Sequence, residues 1–202
     1  MNYFSGAAYY LRSIPTLLTG FDRPLHLFAR LAAGRAAEAR LRRQGYRFRV
    51  RSAFDVWIIK ETCLDQDYLF GGRLEPGWAV LDIGAGLGDF TVLAAASCPR
   101  GVVHAYEPLA ESYQLLRHNL ALNGVRNVTA FPAAVSGRAG RLQPAGQRGP
   151  AVSTRFVAAA EGRGASAVTL AEALARLPAG RCDFLKLDCE GCEFELLTSC
   201  PP

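Results

Sequence analysis

The sequence predicts an α/β fold, a mostly parallel sheet with helices on both faces, behind a helical N-terminal extension. Three observations carry this. The apolar run Ala79-Val80-Leu81-Asp82-Ile83 passes straight into a glycine turn and then into a helical segment. From Trp78 onward, apolar runs of strand length alternate with segments of helical period. Strands separated by helices pair in parallel, and helices then cover the sheet on both sides.

Residues 1–53 form the extension, and residues 54–202 form the sheet-bearing domain. In the extension Leu25, Leu27, Phe28, Leu31 and Ala32 recur at helical spacing, and Pro24 suits a first helical turn. Tyr46, Phe48 and Val50 then alternate with Arg47, Arg49 and Arg51, the period of a half-exposed strand. Residues 54–70 read as a helix and its exit, and Gly71-Gly72 and Pro76-Gly77 punctuate the approach to Trp78. Strands are expected at 79–83, 102–106, 128–131 and 184–187. Helices are expected at 90–96, from Leu109 to an Asn123-Gly124 cap, at 170–177 behind the capping box Thr169-Leu-Ala-Glu172, and from Glu193. Residues 136–166, rich in Gly, Arg, Ala and Pro, read as a loop or irregular hairpin.

Composition narrows the class. Half of the 202 residues are apolar and 20% are charged, as in an ordinary globular domain, and the net charge is a modest +5. Arginines crowd residues 30–51, which reads as a solvated helix face followed by an exposed strand face, with an anionic substrate or an acidic membrane surface as the alternatives. No nucleic-acid motif accompanies them, so no nucleic-acid partner is expected. No apolar run is long enough for stable membrane insertion, and the N-terminus lacks the basic start of a signal peptide. The expected location is the cytoplasm, with six mostly reduced cysteines.

The strongest chemical signal is Leu81-Asp82-Ile83-Gly84-Ala85-Gly86-Leu87-Gly88-Asp89. Glycines permit a tight turn and let backbone approach a ligand closely. A purely structural turn and a nucleotide site both remain compatible with it. The dinucleotide spacing G-x-G-x-x-G is missing, because Asp89 stands where its third glycine belongs. Asp89 would also set negative charge beside a pyrophosphate, which disfavours a nicotinamide-dependent oxidoreductase. Glu107 ends the second strand nineteen positions after Gly88, where an acid can accept both ribose hydroxyls of an adenosine. A phosphate-free adenosine ligand fits both features, and S-adenosyl-L-methionine is one. Gly84, Ala85, Gly86 and Gly88 would then cradle it, Asp82 would lie near its ammonium, and Ala134 and Val135 would lie against its adenine.

With these residues the chain resembles the FkbM-type methyltransferases from about Asp55 to its end. The resemblance rests on Asp55-Val-Trp-Ile-Ile-Lys-Glu61, the glycine turn with its strand, Ala105-Tyr-Glu-Pro108, Asn119-Leu-Ala-Leu-Asn123, Ala133-Ala-Val-Ser136 and Asp183-Phe-Leu-Lys-Leu-Asp-Cys-Glu-Gly191. It implies a Rossmann-like class I methyltransferase fold, S-adenosyl-L-methionine as donor, and a hydroxyl acceptor on a sugar or secondary metabolite. It also implies that Glu61 lies near the cofactor. The family's sheet has seven strands and four are readable here, so a chain lacking the last strands is expected, with the fourth strand an uncovered apolar edge.

Asp188 and Glu190 end that fourth strand. Either can serve as general base, orient the acceptor, ligate a cation, or simply cap the following turn. His104 and His118 read as packing or surface residues. Cys189-Glu-Gly-Cys192 raises zinc or redox chemistry, yet no second paired knuckle flanks it, and no metal is expected. The competing functional class is a non-catalytic S-adenosylmethionine-binding fragment. The acceptor and the oligomeric state are not encoded legibly.

Overall fold

The computed structural model describes residues 3–144, 156–159, 163–189 and 191–199. The extension begins with helices α1 (Tyr3–Gly20) and α2 (Pro24–Ala32) and the antiparallel hairpin β1 (Ala37–Arg40) and β2 (Arg47–Val50). Pro24 occupies the first turn of α2, where its missing N–H costs nothing. Phe48 and Val50 are buried while Arg47 and Arg49 are exposed, so the alternation expected of a half-exposed strand holds. Arg47 pairs with Glu38 at 2.8 Å across the hairpin.

Helix α3 (Ala53–Ile59) is capped by Ser52, whose side chain accepts the Asp55 N–H; such a cap contributes about 1 kcal/mol. It continues as a π-helical turn, Lys60–Asp65, and a 3₁₀ turn, Asp67–Leu69. Then come β3 (Ala79–Ile83), α4 (Asp89–Ser97), β4 (Val102–Tyr106), α5 (Ala110–Leu122), β5 (Val128–Phe131) and β6 (Ala133–Ser136). Strands β7 (Gly140–Pro144), β8 (Phe156–Ala158) and β9 (Ala165–Thr169) precede α6 (Leu170–Ala175), β10 (Phe184–Leu187) and α7 (Glu193–Ser199). Both hydrogen bonds of the Thr169–Glu172 capping box are present.

Among the described residues, the parallel sheet runs in the order β10-β3-β4-β5. The chain moves outward from β3 through β4 to β5, then returns to place β10 on the other side of β3. This reversal is the crevice where α/β sheets bind ligands. Side chains alternate between the two faces. Val80, Val103 and Phe184 join Phe90 of α4 and Phe21, Phe48 and Val50 of the extension in one core. Leu81, Ile83 and Tyr106 join Val135, Leu170, Leu177 and Leu196 in the other. The extension therefore shares its core with the sheet-bearing part.

One expectation needs correction. Within 136–166 the hairpin alternative holds in part, because β7 and β8 pair antiparallel, but both join β6 and β9 (Ala165–Thr169) in a second sheet ordered β6-β9-β7-β8; residues 145–155 and 160–162 of that stretch lie outside the described residues. Gly140-Arg-Leu-Gln-Pro144 has little intrinsic strand preference, and pairing with β8 and β9 overrides it.

Candidate functional site

A cavity of about 1200 Å³ opens at the carboxyl ends of β3, β4 and β10. Its floor is the glycine turn. Gly84 and Gly86 adopt φ of 79° and 53°, a region that L side chains avoid. The N–H groups of Gly84 and Ala85 both donate to the Tyr106 carbonyl at 3.0 Å, which stitches the turn to the end of β4. A Cβ at Gly86 would meet open space, so this backbone faces the cavity. A Cβ at Gly84 would collide with the Asp188 carbonyl oxygen. Gly84→Ala is therefore expected to cost about 3 kcal/mol, from backbone strain and overlap together. Urea unfolding checks this, and a loss under about 1 kcal/mol would contradict it.

Glu107 locks the turn from the neighbouring strand. Its carboxylate accepts the Gly86 N–H at 2.9 Å through Oε2 and the Leu109 N–H at 2.8 Å through Oε1. Burial raises its pKa, and the two backbone donors oppose that rise. Each oxygen keeps a lone pair for a ligand hydroxyl.

The opposite wall comes from β10 and the π-helical turn. Lys186 is buried directly beside Asp82 in the ladder, with Nζ 3.1 Å from Asp82 Oδ1. It also donates to the Gly84 carbonyl at 2.7 Å and lies 3.9 Å from Asp188. Burial opposes the Lys186 ammonium, but Asp82, Asp188 and Asp89 outweigh it and hold its pKa above the ordinary lysine value. Tyr68 donates its hydroxyl to Asp188 at 2.5 Å. Burial and that hydrogen bond together push the Tyr68 phenol up. Glu61 accepts from the Trp57 indole at 2.7 Å and from the Tyr9 hydroxyl at 2.6 Å. A π turn often marks a functional site, and here it brings Glu61 to the wall while Lys60 turns inward to Ser13 and Asp65.

Glu61, Gly84, Ala85, Gly86, Glu107, Ala134, Val135 and Asp188 thus line one cavity. Asp82 does not line it. Its carboxylate is fully buried and engages Lys186 and the Thr91 hydroxyl. Gly88 does not line it either. A Cβ there would press on Leu116, so that glycine serves helix packing. Glu190 lies outside the described residues. Of the cysteines expected to be mostly reduced, Cys63, Cys98 and Cys182 are free thiols, while Cys189 and Cys192 are joined in a disulfide. His104 packs edge-on against Phe131 inside the sheet, as expected. No cluster of metal-ligating side chains occurs among the described residues.

Lys186, Tyr68 and Asn119 were not anticipated. Asn119 donates to the Leu87 carbonyl at 2.8 Å and accepts the Arg49 N–H at 2.7 Å, tying the glycine turn to the hairpin. The motif around it was visible, though its job was not.

Asp89 opens α4 within the cavity wall. Burial pushes its carboxyl up to about 6, against the pull of Lys186 and a Thr62 hydrogen bond. Between the ordinary aspartate range and pH 6 the folded chain holds this proton and the unfolded chain has lost it. Its contribution to stability therefore falls as pH rises through that window. Asp89→Asn is expected to match the parent near pH 4 and exceed it by about 2 kcal/mol at pH 7. Urea midpoints at both pH values test this, and a difference independent of pH would refute it.

A family model described as methyltransferase FkbM domain matches residues 82–200. The 31-O-demethyl-FK506 methyltransferase FkbM of Streptomyces tacrolimicus is 32% identical over 94 residues, covering 39% of this chain and 36% of that protein. The chain thus spans about a third of that relative's length in the match. Among solved structures, TYW2 of M. jannaschii in complex with AdoMet is 21% identical, with 53% of this chain and 54% of that chain covered and a TM-score of 0.36. The putative transferase PH0793 of Pyrococcus horikoshii is 14% identical, with 64% and 57% covered and a TM-score of 0.38. The family match spans more than half of the chain and takes in the glycine turn, Glu107 and Asp188. On that match the chain belongs to the methyltransferase FkbM domain family.

Proposed function

We propose that this chain binds S-adenosyl-L-methionine and transfers its methyl group to a hydroxyl of a small-molecule or glycan acceptor, such as a sugar or secondary metabolite. The observation that carries the reading is the convergence of Gly84–Gly86, Glu107 and Asp188 on one cavity. The residues fit such a cofactor. A turn with open space above Gly86 admits a ligand close to the backbone, and the Glu107 oxygens retain lone pairs for two hydroxyls. When bound, the cofactor supplies an electrophilic methyl on a sulfonium.

The remaining chemistry belongs to the chain. Glu107 holds the ribose, and Ala134 and Val135 offer an apolar wall for the adenine. Asp188 takes the acceptor hydroxyl's proton as that oxygen attacks, while Tyr68 fixes the carboxylate's orientation. The name of the curated relative specifies methylation at oxygen, which supports a hydroxyl acceptor.

Calorimetric titration with S-adenosylhomocysteine tests the first half. Saturable binding is expected at about 1 μM to 1 mM, the usual range for enzyme substrates. No binding at millimolar ligand would overturn the proposal. Transfer of labelled methyl to a panel of hydroxylated sugars and polyketides, with amine and thiol analogues alongside, tests the second half. Transfer to amines alone would overturn the hydroxyl assignment.

A further inference from the structure

We propose that Cys189 and Cys192 form a reversible thiol–disulfide site in the cavity wall, whose reactant is a dithiol, either small or on a protein. Both cysteines line the cavity, and their sulfurs are bonded. Cys63 and Cys98, in contrast, are fully buried. A reductant in the cavity therefore meets this pair and not those thiols.

The surroundings suit both redox states. The Glu193 carboxylate accepts the Cys189 and Gly191 N–H groups at 2.9 Å each, so the turn keeps hydrogen bonds that do not depend on sulfur. Cys192 Sγ lies 3.6 Å from the Val135 carbonyl oxygen. A thiol released at Cys192 thus has an acceptor already in range. In the reduction, a thiolate of the dithiol attacks one sulfur, the Cys189–Cys192 bond breaks, and a mixed disulfide forms. The reagent's second thiolate displaces the enzyme sulfur. Two cysteine thiols and one cyclic or protein disulfide result, with two electrons and two protons transferred.

The site also has a place from which to act. Asp188 immediately precedes Cys189, its N–H donates to the Ile83 carbonyl at 3.0 Å, and its carbonyl abuts Gly84. The cross-link limits the turn that leaves Asp188, and opening it loosens Asp188, Cys189, Gly191 and Cys192. The glycine turn and Glu107 are held by β3 and β4 and stay in place.

The test uses the full chain in buffers of reduced and oxidised dithiothreitol, with native-state alkylation mapped by peptide mass spectrometry. In oxidised buffer Cys189 and Cys192 are expected to resist alkylation. In reduced buffer they label together, Cys63 and Cys98 stay protected, and reoxidation restores resistance. Amide hydrogen exchange at Asp188, Cys189, Gly191 and Cys192 is expected to rise about tenfold on reduction, while 82–88 is unchanged. A Cys189→Ser/Cys192→Ser variant should exchange like the reduced chain and ignore the reductant. Alkylation of the pair in oxidised buffer would overturn the proposal. So would a bond that resists dithiothreitol in the folded chain, or equal exchange in both states. The parent's own redox comparison decides the matter if the double variant fails to fold. None of these measurements requires methyl transfer.

Discussion

Lys186→Met is expected to destabilise the fold by about 3–5 kcal/mol, because it strands a carboxylate in the core. Asp82 is fully buried, and its cross-strand neighbour Lys186 supplies the opposing charge at 3.1 Å. Methionine fills similar space but offers no donor to Asp82 or to the Gly84 carbonyl. The glycine turn then loses its tie to β10 as well as its charge balance. Replacing both charges, as Lys186→Met with Asp82→Leu, should recover most of the loss, since paired apolar residues often match a buried ion pair. The remaining deficit reports the Gly84 and Thr91 hydrogen bonds, each worth about 1–2 kcal/mol. The Lys186 pKa is raised, so its contribution is fully present below the ordinary lysine value and fades only as pH rises through the folded value. The deficit of the single variant should therefore not fade toward about pH 9, and it should deepen as pH rises through about 6, where Lys186 steadies the Asp89 carboxylate. Chemical denaturation of the parent, both single variants and the double variant measures it. A single-variant loss below about 1 kcal/mol would show that the pair is not coupled.

That ion pair marks the limit of what the sequence discloses. The four parallel strands were legible because each is a short apolar run flanked by turn residues, and β3, β4, β5 and β10 occupy the expected positions. Asp82 and Lys186 are both charges inside apolar runs, yet they lie 104 positions apart in the chain. Only the register of β10 on β3 makes them neighbours, and register is a tertiary fact. The sequence alone therefore placed Asp82 near a ligand ammonium without the Lys186 that stands beside it. Glu107 was legible because the strand, the turn and the acid lie close together in the chain. Tyr68 and Tyr9 were not, since they reach the site from a 3₁₀ turn and from α1 without any periodic signal. The second sheet was illegible for the opposite reason, as β7 and β9 are polar or small-residue strands whose pairing partners alone define them.

Asp188→Asn is expected to lower kcat about 10²- to 10⁴-fold, the usual contribution of a positioned general base. The substitution is nearly isosteric. The amide oxygen still accepts from the Tyr68 hydroxyl, and the backbone contact with Gly84 is untouched. What is lost is the capacity to take a proton. Affinity for S-adenosylhomocysteine should change less than about threefold, because Glu107 and the glycine turn supply that binding from other strands. Tyr68→Phe separates placement from proton transfer. It leaves the carboxylate but frees its orientation, so kcat should fall only about tenfold, with basic chemistry retained. Initial rates on whichever acceptor the transfer screen identifies, together with calorimetry on each variant, test the pair of expectations. Full turnover in Asp188→Asn would remove this carboxylate from proton transfer. A parallel collapse of cofactor affinity would instead make it a structural anchor for the glycine turn. The two failures differ in the binding measurement alone, which is why rate and affinity must be read on the same protein.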